Sequence, residues 1–271
     1  MSVTHTVSDA GSWTAPRRVP IGQLAVDCVT FTQALDEIER LVRAGRGGSV
    51  FTPNVDHVVV AESHPQFRAA YGRVSLSLVD GTPVLWALRL LGAPVPEKVS
   101  GSDLVLPLME RAGRRGWRVY LIGAAPAVCR AAAESLRSVH GVNVVGADSP
   151  MIRADGGRSE ESDGAIARIR EARADLVLVG FGAPKQELWI DRHREALAPA
   201  VAVAVGAGID FVAGRFKRAP RWMSRVGLEW LYRLAREPRR LWRRYLLRDP
   251  AFFFILLRSW MRPRAQRIGA R

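Results

Sequence analysis

Short runs of apolar, β-branched residues alternate along this chain with longer segments whose apolar positions have helical spacing. The runs predict strands buried on both faces, at residues 48–52, 75–79, 118–122, 142–145, 176–179 and 201–205. The segments between them predict helices at residues 32–43, 55–71, 82–91, 103–115, 126–139, 163–172 and 184–194. Such a series folds as an α/β protein with a mainly parallel, doubly wound sheet. Ligands then bind beyond the carboxyl ends of the strands.

The C-terminal part of the chain differs sharply in charge from the rest. Residues 211–271 contain sixteen Arg and one Lys against three acidic residues, which accounts for the whole formal net charge of +14. The strand pattern stops near residue 213, and residues 218–260 predict two or three amphipathic helices broken at Pro238 and Pro250. We therefore expect a flexible leader over residues 1–18, an α/β catalytic domain over 19–212 and a cationic helical appendage over 213–271.

Several classes of protein are disfavoured by what the sequence lacks. The longest apolar run of the appendage, residues 251–257, is far shorter than the roughly 18 to 20 residues of a spanning helix. The N-terminus does not resemble a signal peptide, which favours a cytoplasmic protein. Cys28 and Cys129 are far apart and have no partner at metal-ligand spacing, so the sequence predicts neither a disulfide framework nor a zinc site.

The cationic appendage also contains Trp and Phe, which favours an extended anionic partner. Its apolar side chains follow a helical stripe, a pattern typical of helices that lie in a membrane interface. A basic, aromatic groove that binds single-stranded nucleic acid is an alternative. The simplest interpretation is a solvated surface, but the four tryptophans Trp222, Trp230, Trp242 and Trp260 argue against it.

Asp80 stands directly after a predicted strand, followed by a glycine that permits a sharp turn. Thr82 is the expected N-cap of the next helix, with Pro83 as its first residue. Asp80 is therefore a candidate general base at a strand end, able to take a proton from an attacking hydroxyl. Its alternative role is to stabilise the turn through its own side chain.

A second unusual loop, GFGAPKQE at residues 180–187, leads from a strand into a helix whose first turn carries Lys185. Free amides at that position would favour a phosphate. The sixth position of a G-x-G-x-x-G fingerprint is not glycine here, which argues against a nicotinamide-dependent oxidoreductase. No acidic D-x-D pair for a divalent metal occurs either, so cationic side chains and helix N-termini would have to stabilise a departing diphosphate.

The motifs together resemble the WecG/TagA/CpsF family of bacterial glycosyltransferases over roughly residues 19–245. The resemblance is carried by Thr52-Pro53-Asn54, Asp80-Gly81, GFGAPKQE at 180–187, the stretch 206–214, RAPRW from 218 and GLEWLYRLAREPRRLWRRY ending at 245. It implies a Rossmann-like fold and a membrane-associated, inverting enzyme of polysaccharide biosynthesis that needs no cofactor.

The resemblance also implies the partners. They are a UDP-sugar of the N-acetylmannosamine type or another hexose, a polyprenyl-diphosphate-linked saccharide as acceptor, and the inner face of the cell membrane. The products would be teichoic acid-like polymers or exopolysaccharide. A nucleic-acid-binding protein that uses the Arg- and Trp-rich appendage is the alternative.

Candidate site residues follow from the same resemblance. Asp80 would be the general base, Thr52 and Asn54 would line its pocket, and Gln186 would orient the donor. Nucleotide and diphosphate contacts are expected from Asp210, Arg233, Arg240 and Arg243. Lys98 stands where the family usually has Arg, so it keeps the charge but loses the bidentate geometry of a guanidinium.

Overall fold

The structure is a computed structural model, and it describes residues 15–215, 219, 220, 223 and 226–267, without the side chains of residues 240, 264 and 265. An antiparallel hairpin, β1 (Arg18–Ile21) and β2 (Leu24–Asp27), precedes a larger sheet. That sheet contains β3 (Gly48–Phe51), β4 (Leu76–Ser77), β5 (Val119–Gly123), β6 (Val144–Asp148), β7 (Leu176–Gly180) and β8 (Val201–Ala204). All its pairings are parallel, in the order β4-β3-β8-β7-β5-β6.

Helices connect these strands and continue beyond the last one. They are α1 (Phe31–Ala44), α2 (Val55–Ser63), α3 (Pro65–Arg73), α4 (Thr82–Leu90), α5 (Gly101–Arg115), α6 (Pro126–Ser138), α7 (Glu160–Glu171), α8 (Lys185–Arg192), α9 (Arg194–Leu197) and α10 (Gly208–Val212). The appendage contributes α11 (Glu229–Arg236), α12 (Pro238–Trp242), a π-helical segment (Arg243–Arg248), α13 (Ala251–Trp260) and α14 (Arg264–Arg267).

The sheet is buried on both faces because apolar residues fill both sides of its strands. In β5, Val119 and Leu121 belong to one hydrophobic layer, whereas Tyr120 and Ile122 belong to the other. Helices α1, α5, α6 and α10 cover the first layer. The hairpin and helices α2, α3, α4, α7 and α8 cover the second. The predicted doubly wound α/β fold is therefore confirmed.

Three local features differ from the sequence prediction. The β1–β2 hairpin was not predicted, because β1 alternates half-buried and buried residues and gives no continuous apolar run. The helix predicted over residues 55–71 is two helices, since His64 is extended and caps a new helix that begins at Pro65. The N-cap of α4 is Gly81, with φ of +90°, and Thr82 is already the first helical residue.

The appendage helix α13 packs on the α/β domain near the β1–β2 turn. Phe252 and Ile255 of α13 are buried in the same hydrophobic layer as the hairpin. A Cβ atom at Gly22 would lie 2.9 Å from Cγ2 of Ile255, so the turn leaves no room for a side chain there. Among the residues that the structure describes, no helix combines the length and apolar character needed to cross a bilayer.

Candidate functional site

The loops that follow β3 and β4 lie side by side at the carboxyl edge of the sheet. The backbone N–H of Asp80 donates a hydrogen bond to the carbonyl of Pro53 at 3.0 Å, and that of Leu78 donates to Phe51 at 2.8 Å. Asn54 then caps α2. Two loops that are far apart in the sequence are thereby held next to each other, with Asp80 beside Asn54.

A cleft of about 380 Å³ opens over these loops, and the appendage forms its opposite wall. Asn54, Val55, Asp80 and residues 81–83 line the cleft from the α/β domain. The appendage side is formed by Gly227, Glu229, Trp230, Arg233, Arg244, Tyr245, Asp249, Pro250, Phe252 and Phe253. The cleft therefore exists only while the appendage lies against the α/β domain.

Asp80 is the carboxylate that lines this cleft from the α/β domain, and its surroundings favour the protonated form. Burial raises the pKa of Asp80 to about 6, and the negative charge of Glu229 acts in the same direction. The positive charges of Lys98, Arg233 and His57 limit the rise. A carboxylate with a pKa near 6 is ionised at neutral pH and basic enough to accept a proton.

Lys98 lies between an acidic side chain of the α/β domain and one of the appendage. Its Nζ is 3.4 Å from Oδ2 of Asp103 in α5 and 3.8 Å from Oε2 of Glu229 in the appendage. Burial alone would lower the pKa of Lys98, but the carboxylates of Asp103, Glu229 and Asp80 outweigh it and raise the pKa. Lys98 is thus a fixed cation beside Asp80.

A buried chain of polar contacts links Asn54 to the GFGAPKQE loop. Oδ1 of Asn54 lies 2.8 Å from Nδ1 of His57, whose Nε2 lies 3.2 Å from Oε1 of Glu187. The amide of Gln186 donates to the same Glu187 oxygen at 2.7 Å and accepts from the N–H of Gly182 at 3.2 Å. Both ring nitrogens of His57 face oxygen atoms, so the ring fixes the orientation of Asn54.

Arginines of the appendage dock on the first turn of α2. Nη2 of Arg244 donates to Oδ1 of Asn54 at 3.0 Å, and its Nε lies 3.4 Å from Oδ2 of the buried Asp56. Arg248 forms an ion pair with the other Asp56 oxygen. Burial raises the pKa of the neighbouring Asp249 to about 6, although Arg244 partly offsets the effect.

Of the nine predicted site residues, Asn54, Asp80 and Arg233 line the cleft. Thr52 is buried behind it, where its hydroxyl donates to the carbonyl of Ala204 at 3.4 Å. Gln186 and Lys98 do not line the cleft either. Gln186 is hydrogen-bonded to Glu187, and Lys98 is paired with Asp103.

Of the remaining three predicted residues, Asp210 and Arg243 do not line the cleft either, and the side chain of Arg240 is not among those that the structure describes. Asp210, in α10, pairs with Arg215 at 3.2 Å. Arg243 is exposed, with its guanidinium carbon 5.4 Å from the centre of the Trp242 ring. The backbone of Arg240 falls in α12, and its side chain lies outside the described residues.

Sequence reasoning missed other residues of the site. Arg244 was passed over because the appendage has many arginines and a helical pattern does not tell which of them meets the domain. Trp230, Tyr245 and Asp249 were missed for the same reason. His57 had a local signal, since a side chain three residues after an N-cap can close a capping box, as it does here.

The geometry defines a Rossmann-like α/β protein with a partly enclosed carboxylate site at the carboxyl edge of its sheet, covered by a cationic appendage. In the part of the chain that the structure describes, no group of three or more His, Cys, Asp or Glu side chains is placed to hold a metal ion. The model of the glycosyl transferase WecG/TagA/CpsF family matches residues 19–266, nearly the whole chain. The chain therefore belongs to this family, and it is a glycosyltransferase of cell-surface polymer synthesis.

Proposed function

We propose that the protein transfers a hexose, of the N-acetylmannosamine type or a related kind, from a UDP-sugar to a polyprenyl-diphosphate-linked saccharide. The transfer inverts the anomeric carbon and needs no metal ion or cofactor. The observation that carries the proposal is the carboxylate of Asp80, which has a pKa of about 6 and lies in a cleft beside Lys98 and Arg233. Family membership supports glycosyl transfer as the reaction class.

Asp80 is the general base in the proposed reaction. Its carboxylate takes the proton from the acceptor hydroxyl while that oxygen forms a bond to the anomeric carbon of the donor. The bond between that carbon and the diphosphate oxygen breaks on the opposite face, and its electron pair leaves with UDP. A single displacement of this kind inverts the anomeric configuration.

Cationic side chains stabilise the departing diphosphate in place of a metal. Lys98 and Arg233 are close enough to Asp80 to act on its ionisation, so they are also placed to act on charge that develops next to it. One well-placed donor contributes about 3 to 4 kcal/mol to such a transition state. Thr52, Asn54 and Gln186 shape the donor pocket, and Asp210, Arg240 and Arg243 complete the proposed nucleotide contacts.

The appendage is also proposed to hold the enzyme on the inner face of the cell membrane. The side chains of Phe253, Phe254 and Leu257 on α13 and of Leu246 and Leu247 before it are exposed. Arginines surround them, a combination that favours the interface of an anionic bilayer. The acceptor, a lipid, would then be reached at the membrane surface.

The test is UDP release by the purified protein in detergent, with a panel of UDP-sugars and a polyprenyl-diphosphate-linked sugar. Each reaction is run with and without acceptor and with and without a chelator. The proposal predicts release that depends on the acceptor and persists with the chelator. Release abolished by the chelator would contradict metal independence, and a lack of release across the panel would contradict the donor class.

A further inference from the structure

Two of the residues proposed for the donor pocket, Thr52 and Gln186, lie outside the cleft, whereas Asn54 and Arg233 line it. Thr52 follows β3, and its hydroxyl contacts Ala204 at the end of β8. Gln186 follows β7, and β8 and β7 are the two central strands of the sheet. Asp80 follows β4, the edge strand. The cleft extends from Asp80 toward the appendage and is lined by neither Thr52 nor Gln186. A general base must touch the acceptor hydroxyl and face the donor carbon, so Asp80 marks the boundary between two subsites.

The appendage wall of the cleft has the composition of a sugar-binding surface. The rings of Trp230 and Tyr245 pack edge to face, with centroids 5.9 Å apart, and both line the cleft. Trp230 remains 37% exposed, although it is part of this aromatic pair. Aromatic rings offer a large, rigid apolar surface on which the apolar face of a sugar ring can pack.

Polar groups accompany the aromatic pair. Burial raises the pKa of the Tyr245 hydroxyl, which therefore stays protonated and able to donate a hydrogen bond. Oδ1 of Asp249 is buried and accepts no hydrogen bond from any residue that the structure describes. A buried carboxylate oxygen without a donor is costly, and a hydroxyl or amide N–H of a bound ligand can satisfy it.

Apolar side chains of α13 also line the cleft. They are Phe252 and Phe253, and Phe253 is one of the exposed apolar side chains of α13. The lining of the cleft thus combines a carboxylate for proton removal, an aromatic and polar surface, and apolar side chains that are also exposed on α13. This combination suits an amphiphile that has a saccharide at one end and a hydrocarbon chain at the other.

We infer that Trp230, Tyr245 and Asp249 form a subsite for the saccharide of the acceptor, next to the site proposed for the donor diphosphate at Arg233. Trp230 packs on the sugar ring, and Tyr245 and Asp249 bind its hydroxyl or amide groups. The lipid leaves the cleft past Phe253 toward α13. The inference rests on the proposed function for the identity of the acceptor, but its test does not depend on turnover.

The experiment measures binding by calorimetry to the full-length protein. The probes are geranyl diphosphate linked to N-acetylglucosamine, the same carrier linked to glucose, geranyl diphosphate itself, and UDP. Trp230→Ala is compared with Trp242→Ala, because Trp242 is 41% exposed in the same appendage and does not line the cleft. Trp230→Phe, which keeps an aromatic face, serves as the conservative variant.

We expect at least one sugar-bearing carrier to bind more tightly than geranyl diphosphate. Trp230→Ala should weaken that binding by about tenfold or more, and Trp230→Phe should restore part of it. UDP affinity should stay within about twofold in the Trp230 variants, and carrier binding should stay within about twofold in Trp242→Ala. Asp249→Asn should weaken carrier binding without changing UDP binding.

Three results would overturn the inference. Equal binding of the carriers with and without a sugar would assign the cleft to the diphosphate or lipid alone. An equal loss of UDP affinity in Trp230→Ala would assign it to the donor. A lack of binding by either sugar-bearing carrier would remove the subsite altogether. Failure of the proposed function appears separately, as a lack of sugar transfer by a protein that still binds the carriers.

Discussion

Asp80 is proposed to act as the general base, and in its ionised form it also destabilises the folded protein. Its raised pKa means that the folded state holds the carboxylate in a less favourable environment than the unfolded chain does. Above about pH 6 the ionised carboxylate of Asp80 lowers the stability of the wild-type protein. Below the ordinary Asp pKa near 3.8 the carboxyl group is protonated in both the folded and the unfolded protein, and it has no such effect. The effect on stability therefore grows as the pH rises between these values.

Asp80→Asn should for this reason stabilise the protein while it lowers activity. We expect a higher Tm than wild type at pH 7.5, and the gain should shrink as the pH falls from about 6 toward 4. Thermal unfolding at several pH values measures this difference. A Tm below that of wild type at pH 7.5 would show that Asp80 stabilises its turn rather than bearing a desolvation cost.

The buried pair of His57 and Glu187 leads to a second prediction at this scale. His57→Leu removes a partner of a fully buried carboxylate, and it should reduce the free energy of unfolding by about 3 kcal/mol or more. Glu187→Gln keeps a hydrogen-bond acceptor for His57 and should cost clearly less. Urea unfolding of both variants tests the order, and equal losses would contradict a specific role for the pair.

Among the elements, the appendage is held on α2 by a compact ionic contact. Arg244 and Arg248 both meet the buried carboxylate of Asp56, so Asp56→Asn leaves two arginines near a neutral side chain. We expect local opening of the appendage to become easier by about 2 kcal/mol, because a buried ion pair loses one partner. Limited trypsin digestion should then cleave residues 229–260 roughly thirtyfold faster.

Glu62→Gln is the matched control for this contact. Glu62 lies on the same helix and pairs with Arg258 of α13 at 2.6 Å, but its carboxylate is 23% exposed, whereas that of Asp56 is 4% exposed. A surface pair of this kind contributes about 0 to 1 kcal/mol, so digestion should change little. Equally faster digestion of both variants would contradict the conclusion that the ionic contact at Asp56 holds the appendage on α2.

The elements also show how far sequence reasoning reaches in this protein. Buried parallel strands have continuous apolar runs, so all six strands of the large sheet were predicted, and the loops that hold Asp80 and Asn54 followed from them. The contacts of Arg244 and Asp249 were not predicted, because docking of the appendage is a tertiary event that leaves no periodic signal. The break at His64 was missed because an apolar stripe can continue across a capped helix boundary.

At the scale of the whole molecule, the exposed apolar face of α13 predicts membrane association that depends on particular side chains. Phe254 is 75% exposed and does not line the cleft. Phe254→Gln combined with Leu257→Gln should reduce cosedimentation with anionic vesicles by about tenfold, because two apolar side chains no longer enter the interface. Added salt should weaken the remaining binding, since exposed charges are screened.

Met151→Gln combined with Val139→Gln is the control for this experiment. These side chains are as exposed as Phe254, but they lie on the α/β domain. Vesicle binding should be unchanged in this variant. An equal loss of vesicle binding in both double variants would contradict a membrane-binding face on α13. Unchanged vesicle binding by the variant with glutamine at positions 254 and 257 would contradict it as well.

The central claim is that Asp80 removes the acceptor proton, and the pH dependence of kcat/KM for sugar transfer tests it most directly. In the wild-type protein we predict a tenfold fall per pH unit below about pH 6, where Asp80 becomes protonated. Asp80→Asn should lose about 10² to 10⁴ in turnover, and its residual activity should no longer show that acidic limb. A fully active Asp80→Asn enzyme, or one that keeps the same acidic limb, would contradict the account.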